Sequence, residues 1–492
     1  MKAKTLLLII TLLSCVFLCS CMDNPRRSVV VSKNDGSFDI SSIKEENGET
    51  NRIYETISST DTVFYSTDGS VKYSISFDGQ SIFKGNLPIV EVSPHTITSS
   101  EAENIAHTLC GDNEFYEWIP NRSFSRDEID KKMVQWNYLR SDEALHSVFA
   151  DDEDIISVNK EILSSFISKY SNPEVYSSLP EQITRTPCDW NFKPEEHYFH
   201  TQGEQENGSM QIKAYTQYNN TSYCFSVMNR NEKDYRINNI HFNMEDETPD
   251  PNMIQYKYNM ASYGSDFLAS TDELTAAKEK AYQLIHNFGI GNWDIDICTP
   301  IQSSFGDGAS KYYIQIEAVP SIADIPITRV PQLGNLKSEE IYASNYYHSN
   351  ISFLFSNNGD LLNLDIISPI DIEKVTNDNV AVQTYDSIFS QIKTYLSFLD
   401  APNYFNDYES ESKYHVEVSI KNIKLGLTRV KIKGNNTNFY YLPTITVYGQ
   451  YIVLDSANVV ILDSTQLYDE EGKILLVVNA IDNSIINISN GY

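Results

Sequence analysis

The sequence predicts an α+β protein made of repeated helix-plus-antiparallel-sheet units, with a β-rich C-terminus. Three observations lead to this prediction. Capping boxes, in which a Ser or Thr is followed three residues later by Glu, open amphipathic helices at separate points of the chain. Runs that alternate apolar and polar residues follow these helices, as expected of strands with one buried face. From His415 onward almost every segment is of this strand type.

A β-hairpin is predicted near the start of the folded part. Residues 61–66 and 70–76 alternate between apolar and polar side chains, and Asp68-Gly69 lies between them. Asp-Gly between alternating runs is the strongest short-range signal of a hairpin. We therefore expect a β-meander before the first helix.

Three helices share one pattern, and each leads into strands. Thr98–Glu101 and Ser270–Glu273 are capping boxes, and each is followed by apolar residues at helical spacing and then by a glycine, Gly111 or Gly289. A weaker third copy runs from about Val380 to Leu399. Self-similarity of this kind is typical of a repeated structural unit, although the copies share little sequence identity.

Further elements lie between the first two copies. Helices are predicted from Ser125 to Leu139 and from Ile155 to Tyr170, and strands within Met210–Phe242 and Ile254–Tyr263. The segment Glu247–Pro251 contains two prolines and is typical of a boundary between structural units.

The tail of the chain is predicted to form an antiparallel sheet. In His415–Lys421 the apolar residues occupy every second position, which indicates a strand with one buried face. Ile474–Ala480 and Ile485–Ile488, on either side of the Asp482-Asn483 turn, are expected to form a final hairpin.

These signals divide the chain into four parts. Residues 1–20 have the character of a signal peptide, and residues 21–52, rich in Asn, Asp, Ser, Glu and Lys, that of a polar tether. An N-terminal α+β domain is predicted at 53–246, and a C-terminal α+β domain with two helix-and-sheet units at 252–492. Roughly 30 flexible tether residues reach about 30 Å, enough to hold the folded part clear of a bilayer surface.

The N-terminus predicts secretion and lipidation. Lys2 and Lys4 precede the apolar stretch Leu6–Leu18, which is too short to span a bilayer. Leu18-Cys19-Ser20-Cys21 resembles the lipobox of bacterial lipoproteins, in which the last cysteine is diacylated and becomes residue one. The resemblance implies lipidation at Cys21. Leu12–Cys15 is a second match, and an ordinary signal peptide with incidental cysteines is the alternative.

The mature chain is strongly acidic, which limits its partners. Without Lys2 and Lys4, the chain has 35 Lys and Arg residues and 67 Asp and Glu residues, so the formal charge is 35 − 67 = −32. Such a charge repels phosphate backbones and anionic lipids, which argues against binding nucleic acid and against electrostatic docking on a membrane. The two acyl chains on Cys21 are the expected membrane contact. An envelope protein is the expected partner, and the sequence leaves any small-molecule ligand unknown.

The sequence resembles known families to two different extents. The lipobox, the Val29–Val31 segment, the helix-and-meander body, Leu442-Pro443 and Asn479–Asp482 are similar to a family of uncharacterised lipoproteins, classed as a domain of unknown function, from anaerobic Gram-positive bacteria, and this resemblance covers most of the chain. The ending also resembles extracytoplasmic modules of the PepSY and YycH/YycI type, in which a helix packs on a sheet. Asn483 stands where that turn usually has Gly, and Ile445 where Trp is common. The first resemblance implies an extracytoplasmic location and no known activity.

No metal or cofactor site is predicted. In Glu196-His197-Tyr-Phe-His200 the two His are three residues apart, one fewer than in a zincin helix, so we favour an exposed loop over a surface metal site. The acidic runs Asp151–Asp154 and Asp469–Glu471 lack the spacing of a calcium-binding loop, so we interpret them as solvated turns.

No catalytic residue is predicted. The chain has no Gly-x-Ser-x-Gly elbow, and Ser-x-x-Lys recurs too often in a Ser-rich chain to identify a nucleophile. The serines in this pattern are Ser41, Ser81, Ser157, Ser390 and Ser410. With 67 acidic residues, the sequence does not single out the two facing carboxylates of a glycoside hydrolase.

The cysteines and aromatic pairs have structural interpretations. Cys110, Cys188, Cys224 and Cys298 form no Cys-x-x-Cys pair, which excludes zinc ribbons and thioredoxin-like motifs. Their disulfide status stays open, with buried free thiols preferred. Three aromatic clusters are interpreted as half-buried strand residues. The alternative is that they are platforms on which sugar rings stack. These clusters are Tyr312-Tyr313, Tyr346-Tyr347-His348 and Phe439-Tyr440-Tyr441.

Together these observations favour a membrane-anchored extracytoplasmic lipoprotein that acts as a non-catalytic binding or regulatory module. A cell-envelope hydrolase is one alternative and requires a nucleophile beside a base, or a cleft with two facing carboxylates. A glycan-binding surface lipoprotein is the other and requires exposed, coplanar Tyr rings. A partner-binding module instead presents an exposed apolar groove or sheet edge.

Overall fold

Helices and strands make up most of the described chain. The computed structural model describes residues 53–56, 60–77, 81–84, 86–118, 124–142, 145, 153–194, 209–218, 221–231, 236–244, 261–262, 269–303, 312–329, 348–356, 358–401, 404, 414–432, 435–464, 472–486 and 488. Its helices are α1 (Ser99–Cys110), α2 (Arg126–Leu139), α3 (Glu153–Ser171), α4 (Pro173–Ser178), α5 (Thr271–Phe288) and α6 (Tyr385–Leu396). Its strands are β1 (Ile53–Thr56), β2 (Thr60–Tyr65), β3 (Val71–Phe77), β4 (Ser81–Lys84), β5 (Asn86–Pro94), β6 (Phe115–Glu117), β7 (Lys193–Pro194), β8 (Ser209–Tyr218), β9 (Thr221–Asn231), β10 (Arg236–Met244), β11 (Ala261–Ser262), β12 (Trp293–Ser303), β13 (Tyr312–Ile322), β14 (Ile325–Pro326), β15 (Asn350–Ser356), β16 (Leu361–Ile367), β17 (Ile370–Ala381), β18 (His415–Ile432), β19 (Asn435–Leu454), β20 (Val460–Asp463) and β21 (Lys473–Asn479).

Two large, mostly antiparallel sheets form the body of the described chain. Sheet 1 has 11 strands in the order β11-β12-β13-β15-β16-β10-β9-β8-β6, with β14 beside β13 and β7 beside β8. Sheet 2 has 8 strands in the order β17-β5-β19-β18-β3-β2, with β20 and β21 beside β19. Within sheet 2, β3 and β18 run parallel. The α+β prediction with a β-rich C-terminus is confirmed.

Sheet 1 contains two copies of one unit. In the first copy α1 is followed by β6, β8, β9 and β10, and in the second α5 is followed by β12, β13, β15 and β16. The last strands of the two copies, β10 and β16, pair antiparallel with Phe242 opposite Leu364, so the copies meet inside the sheet. The Asn104 side-chain amide on α1 donates to the main-chain oxygens of Asn287 and Phe288, at 2.9 and 3.3 Å. These oxygens at the end of α5 have no partner within the helix, so the contact joins the two units.

The capping boxes found in the sequence are formed. Thr98, Ser125 and Ser270 each accept a hydrogen bond from the backbone N–H of the Glu three residues later, whose carboxylate accepts from the cap in return. Gly289 ends α5 with a φ of 72°, in the left-handed region that favours glycine. The apolar faces of α1 and α5 pack on the same face of sheet 1.

Helices α2, α3 and α4 are inserted between β6 and β7 and have their own core. Trp136 of α2 is fully buried and packs with Ile129, Leu163 and Ile167. Its ring lies 5.4 Å from that of Phe166, centroid to centroid. The second unit of sheet 1 has no helix of this kind among its described residues.

Helix α6 covers one face of sheet 2. Its residues Ile388, Ile392 and Leu396 pack there on a core that includes the alternating apolar residues at the start of β18. The helix begins at Tyr385 rather than near Val380, because Val380 belongs to β17. The side chain of Thr384 caps α6 by accepting a hydrogen bond from the Ser387 N–H.

The β13–β14 hairpin joins the two sheets. Ile322 and Ile325 from this hairpin pack in one cluster with Leu427 and Tyr441 of sheet 2. Just after the hairpin, the Thr328 N–H donates to the Leu427 carbonyl at 2.8 Å.

Both sheets combine strands from the two sides of residues 247–251. The predicted ranges 53–246 and 252–492 therefore do not coincide with the two sheets. In the part of the chain that the structure describes, no helix is long and apolar enough to cross a bilayer.

Candidate functional site

A hairpin arm at the edge of sheet 2 exposes several apolar side chains. This β19–β20 arm comprises residues 455–461, which connect β19 to β20 and include the start of β20. Val459, Val460 and Ile461 are 58%, 53% and 43% exposed. The three side chains are consecutive along the arm, and all are exposed to solvent. Large apolar side chains clustered in this way mark an interaction surface.

The turn of the arm has a defined structure. The side chain of Asp455 accepts hydrogen bonds from the N–H groups of Ala457 and Val459, each at 2.8 Å. Asn458 has a φ of 60°, a conformation that Asn tolerates better than most residues. At the base of the arm, the Tyr451 N–H donates to Ser464 Oγ at 2.6 Å. The apolar side chains therefore stand on a structured hairpin.

One edge of β20 is open among the described residues. β20 pairs with β19 through Leu454↔Val460, Val453↔Leu462 and Ile452↔Asp463, and with no other described strand. The register shifts once, so Ile461 is the extra residue of a bulge. No described strand covers the other edge of β20, and an edge strand of this kind can be extended by a further strand.

A second exposed edge lies on the opposite side of sheet 2. There β2 pairs only with β3 among the described strands, and Val63 and Tyr65 are 51% and 55% exposed. Beyond them, Lys72 forms an ion pair with Glu417 at 3.1 Å across β3 and β18. This edge has two large exposed apolar side chains among the described residues, against three on the β19–β20 arm.

An imidazole and a carboxylate pair on the polar face of sheet 1, where its two units meet. His241 Nδ1 lies 2.6 Å from Asp365 Oδ1, and the Asn363 side-chain amide donates to the other carboxylate oxygen at 2.7 Å. An ionised carboxylate can only accept, so Nδ1 carries the proton and Nε2 of the neutral ring is an acceptor. This geometry could position a general base.

The hydroxyl groups nearest in register are not bonded to this base. Ser226 lies opposite His241 on β9, and Ser352 lies opposite Asp365 on β15. Among the described residues, His241 makes no hydrogen bond to a hydroxyl. The pair therefore lacks the nucleophile-to-base contact that defines an activated serine.

A network of buried charges lies between the two sheets. Arg329 is 1% exposed at its side chain and contacts Asp296 on β12 at 2.7 Å and Glu317 on β13 at 3.1 Å. Lys424 of β18 contacts the other oxygen of Asp296 at 2.9 Å. Burial alone raises the pKa of Asp296, but the charges of Lys424 and Arg329 outweigh it and hold the pKa below its ordinary value. These ion pairs join sheet 1 to sheet 2.

A second junction involves a histidine between two carboxylates. His95 follows β5, and its Nδ1 and Nε2 lie 2.8 Å from Asp371 and 3.0 Å from Glu101. Burial raises the pKa of Glu101, but hydrogen bonds from Thr98 and the contact with His95 lower it by more. The residues tie β17 and β5 to the start of α1.

Several residues singled out in the sequence lie outside the described ranges. Cys21, Glu196, His197 and His200 are among them, as are Ser41, Ser410 and the acidic residues 469–471. Ser81 lies in β4, Ser157 in α3 and Ser390 in α6. In the first acidic run, Glu153 and Asp154 are the first two residues of α3. The described residues contain no group of His, Cys, Asp and Glu arranged to hold a metal ion.

The four cysteines after Cys21 are free thiols. Cys110 is buried, and Cys188, Cys224 and Cys298 are half-buried. Burial raises the pKa of Cys110 to about 12, and burial together with the nearby carboxylates of Glu117 and Asp189 raises that of Cys188 to about 12. Both thiols are protonated at neutral pH and are therefore poor nucleophiles.

The described aromatic residues singled out in the sequence are mostly core residues. Tyr313, Phe439 and Tyr441 are buried and Tyr440 is half-buried. Burial and the charge of Arg429 lower the pKa of His348 to about 4. The Tyr346 and Tyr347 backbone and the Tyr312 side chain are not described. The described rings do not form an exposed platform for stacking on sugars.

Sequence comparison with known proteins brings no relative: no family model and no curated protein matches the chain. A crystal structure of an uncharacterized protein from Eubacterium rectale ATCC 33656 is similar to this one, with 12% sequence identity and a TM-score of 0.41. The similarity covers 88% of this chain and 94% of the other. Likeness at this level carries no argument about function, and the family resemblance of the sequence stays a prediction.

Proposed function

We propose that this protein is an extracytoplasmic lipoprotein, held at the cell membrane by acyl chains on Cys21, and that it acts as a non-catalytic binding or regulatory module. The observation that carries the binding role is the β19–β20 arm, a structured hairpin with an open edge and exposed apolar side chains. The anchored location is supported by the Leu18–Cys21 sequence and by the polar segment that follows it.

The acyl anchor and the acidic body have complementary roles in this proposal. A formal charge of −30 for the whole chain gives the body little attraction to anionic lipid headgroups. Two acyl chains supply the membrane affinity that the body lacks. The tether then leaves the folded part free to meet a protein partner within the envelope.

A cell-envelope hydrolase is a second candidate, favoured only by the His241–Asp365 pair. Purified protein that degrades cell-wall material, and loses this activity in His241→Ala and Asp365→Asn while staying folded, would support the hydrolase. Activity that is absent, or equal in wild type and both variants, would leave the binding role as the better proposal.

The anchor is tested by fractionation and intact-mass analysis. We expect the wild-type chain in the membrane fraction, with a mass that begins at Cys21 and includes a diacylglyceryl group. Cys21→Ser should lose this modification, whereas the matched variants Cys15→Ser and Cys19→Ser should keep it. Modification at Cys15, or an unmodified product free in the medium, would contradict the proposal.

The partner is tested by affinity capture of the anchored protein from its own membrane, followed by mass spectrometry. We expect an envelope protein that is recovered with the wild-type chain and lost when the exposed surface of the arm is changed. Recovery of lipid-processing enzymes alone would remove the main support for a binding role.

A further inference from the structure

The free edge of β20 carries fewer charges than another edge of sheet 2. At that other edge, β17 carries the charged residues Asp371, Glu373 and Lys374, and its pairing with β5 shifts register three times. Charges and bulges on an edge strand discourage the addition of another strand. Residues 450–464, which include the arm, contain no Lys or Arg, and Val460, Ile461 and Leu462 are consecutive apolar residues. This edge is suited to accept a strand.

The arm also has a defined structure before a partner binds. The hydrogen bonds of Asp455 and the left-handed Asn458 define its turn, and Ser464 closes its base. A partner that pairs with β20 therefore orders few residues of this chain, which lowers the entropic cost of binding. The bulge at Ile461 limits regular pairing to a few residues, so side-chain contacts must provide part of the affinity.

The charge of this chain favours one kind of binding partner at this edge over others. Asp455 and Asp463 flank the exposed side chains, and the chain as a whole has a formal charge of −30. A second copy would bring the same carboxylates against each other, and an anionic bilayer would repel them as well. A cationic strand suits both the exposed apolar side chains and the acidic character of this chain.

We propose that the β19–β20 arm binds an extended, cationic segment of an envelope protein by β-strand addition. The backbone of this segment pairs with the free edge of β20, its apolar side chains cover Val459, Val460 and Ile461, and its Lys or Arg side chains lie near Asp455. This inference rests on the binding role proposed above and gives that role a class of partner.

The test uses the purified protein and a displayed library of random dodecapeptides. Peptides are selected on the wild-type protein after depletion on the bare support, and their binding to Val460→Lys is measured afterwards. We expect the enriched peptides to alternate apolar residues and to carry net positive charge. In solution, Val460→Lys should weaken binding of a selected peptide at least about tenfold, because Lys opposes both the apolar contact and the cationic partner.

The matched control is Ile372→Lys, which changes an exposed apolar residue on the protected edge strand β17. It should change the affinity by less than about twofold, within the range of surface substitutions away from an interface. Both variants lie at exposed positions, and equal thermal melting with the wild type establishes that they fold. Raising NaCl from about 0.05 to about 0.5 M should weaken binding, since ion pairs contribute.

Three results would overturn the inference. One is selection of peptides that are acidic, or that show helical rather than alternating spacing. Another is selection of peptides that bind wild type and Val460→Lys equally. The third is a wild-type dimer in analytical ultracentrifugation that Val460→Lys abolishes, because it would assign the edge to a second copy. None of these depends on Cys21, so failure here and failure of the anchor are distinguishable.

Discussion

Removal of Arg329 should destabilise the protein more than removal of any exposed charge. Arg329→Met deletes the guanidinium and keeps much of the aliphatic volume. The Glu317 carboxylate, 2% exposed at its side chain, would then lose the Arg329 guanidinium and keep the uncharged Gln315 amide as a donor, and Asp296 would keep the Lys424 ammonium. Breaking a buried pair by removing one partner costs about 3–5 kcal/mol, because a buried charge is left uncompensated. We therefore expect the free energy of unfolding to fall by about this amount.

The assay is urea unfolding at pH 7, followed by circular dichroism, with two further variants. Lys424→Met is the matched control, because the Lys424 side chain is 31% exposed and Asp296 would keep Arg329, so a loss of about 1 kcal/mol or less is expected. Arg329→Met combined with Glu317→Gln should recover part of the loss, since neither an unpaired cation nor an unpaired carboxylate remains at that contact. A loss below about 1 kcal/mol for Arg329→Met, or one equal to that of Lys424→Met, would refute this account of the junction.

Other outcomes follow from the cap, the inserted core, the thiols and the lowered carboxyl pKa. Ser270→Ala should lower stability by about 1 kcal/mol in urea unfolding, because the α5 cap loses its acceptor, whereas the exposed Ser100→Ala should have little effect. Trp136→Ala should cost about 3–5 kcal/mol in the same assay, because it empties the core of the inserted helices. Cys110 should react with a thiol reagent only after unfolding, since burial raises its pKa to about 12; rapid reaction in the folded state would contradict its burial. The pKa of Asp296 is lower in the folded state than in the unfolded state, where it is about 3.9. The contribution of Asp296 to stability is therefore present above the unfolded pKa and is lost as the pH falls through the folded pKa. Over that acidic range, the unfolding free energy of Asp296→Asn should fall less than that of the wild type.

The helix starts could be predicted because their signals are local. Each capping box places both members of its hydrogen-bonded pair within four residues, so sequence neighbours decide the structure. The same applies to the hairpin turn at Asp68-Gly69, which joins β2 to β3. The predicted start of α6 was wrong because the structure there depends on a residue pairing that is distant in the sequence. Residues near Val380 fit a helix pattern, but pairing between β17 and distant β5 makes them a strand.

The candidate sites could not be predicted, because their members are distant in the sequence or their exposure depends on the fold. His241 and Asp365 are 124 residues apart, and each is unremarkable where it stands. Val459-Val460-Ile461-Leu462 carries a signal that misleads: four consecutive apolar residues are typical of a buried strand. Only the position of β20 at the end of β19, with no described strand beyond it, leaves three of them exposed.

The strand order explains why the predicted boundary at Glu247–Pro251 does not separate the sheets. At the centre of sheet 1, β10 pairs with β16, and in sheet 2 both β3 and β5 pair with strands of the last hundred residues. Local patterns identify strands but not their partners, since any strand of suitable length and alternation fits another. The pairing therefore makes the two sides of the boundary depend on each other for their central hydrogen bonds. In the described part of the chain these pairings fill the centres of both sheets, so a further strand can be added only at an edge, such as that of β20.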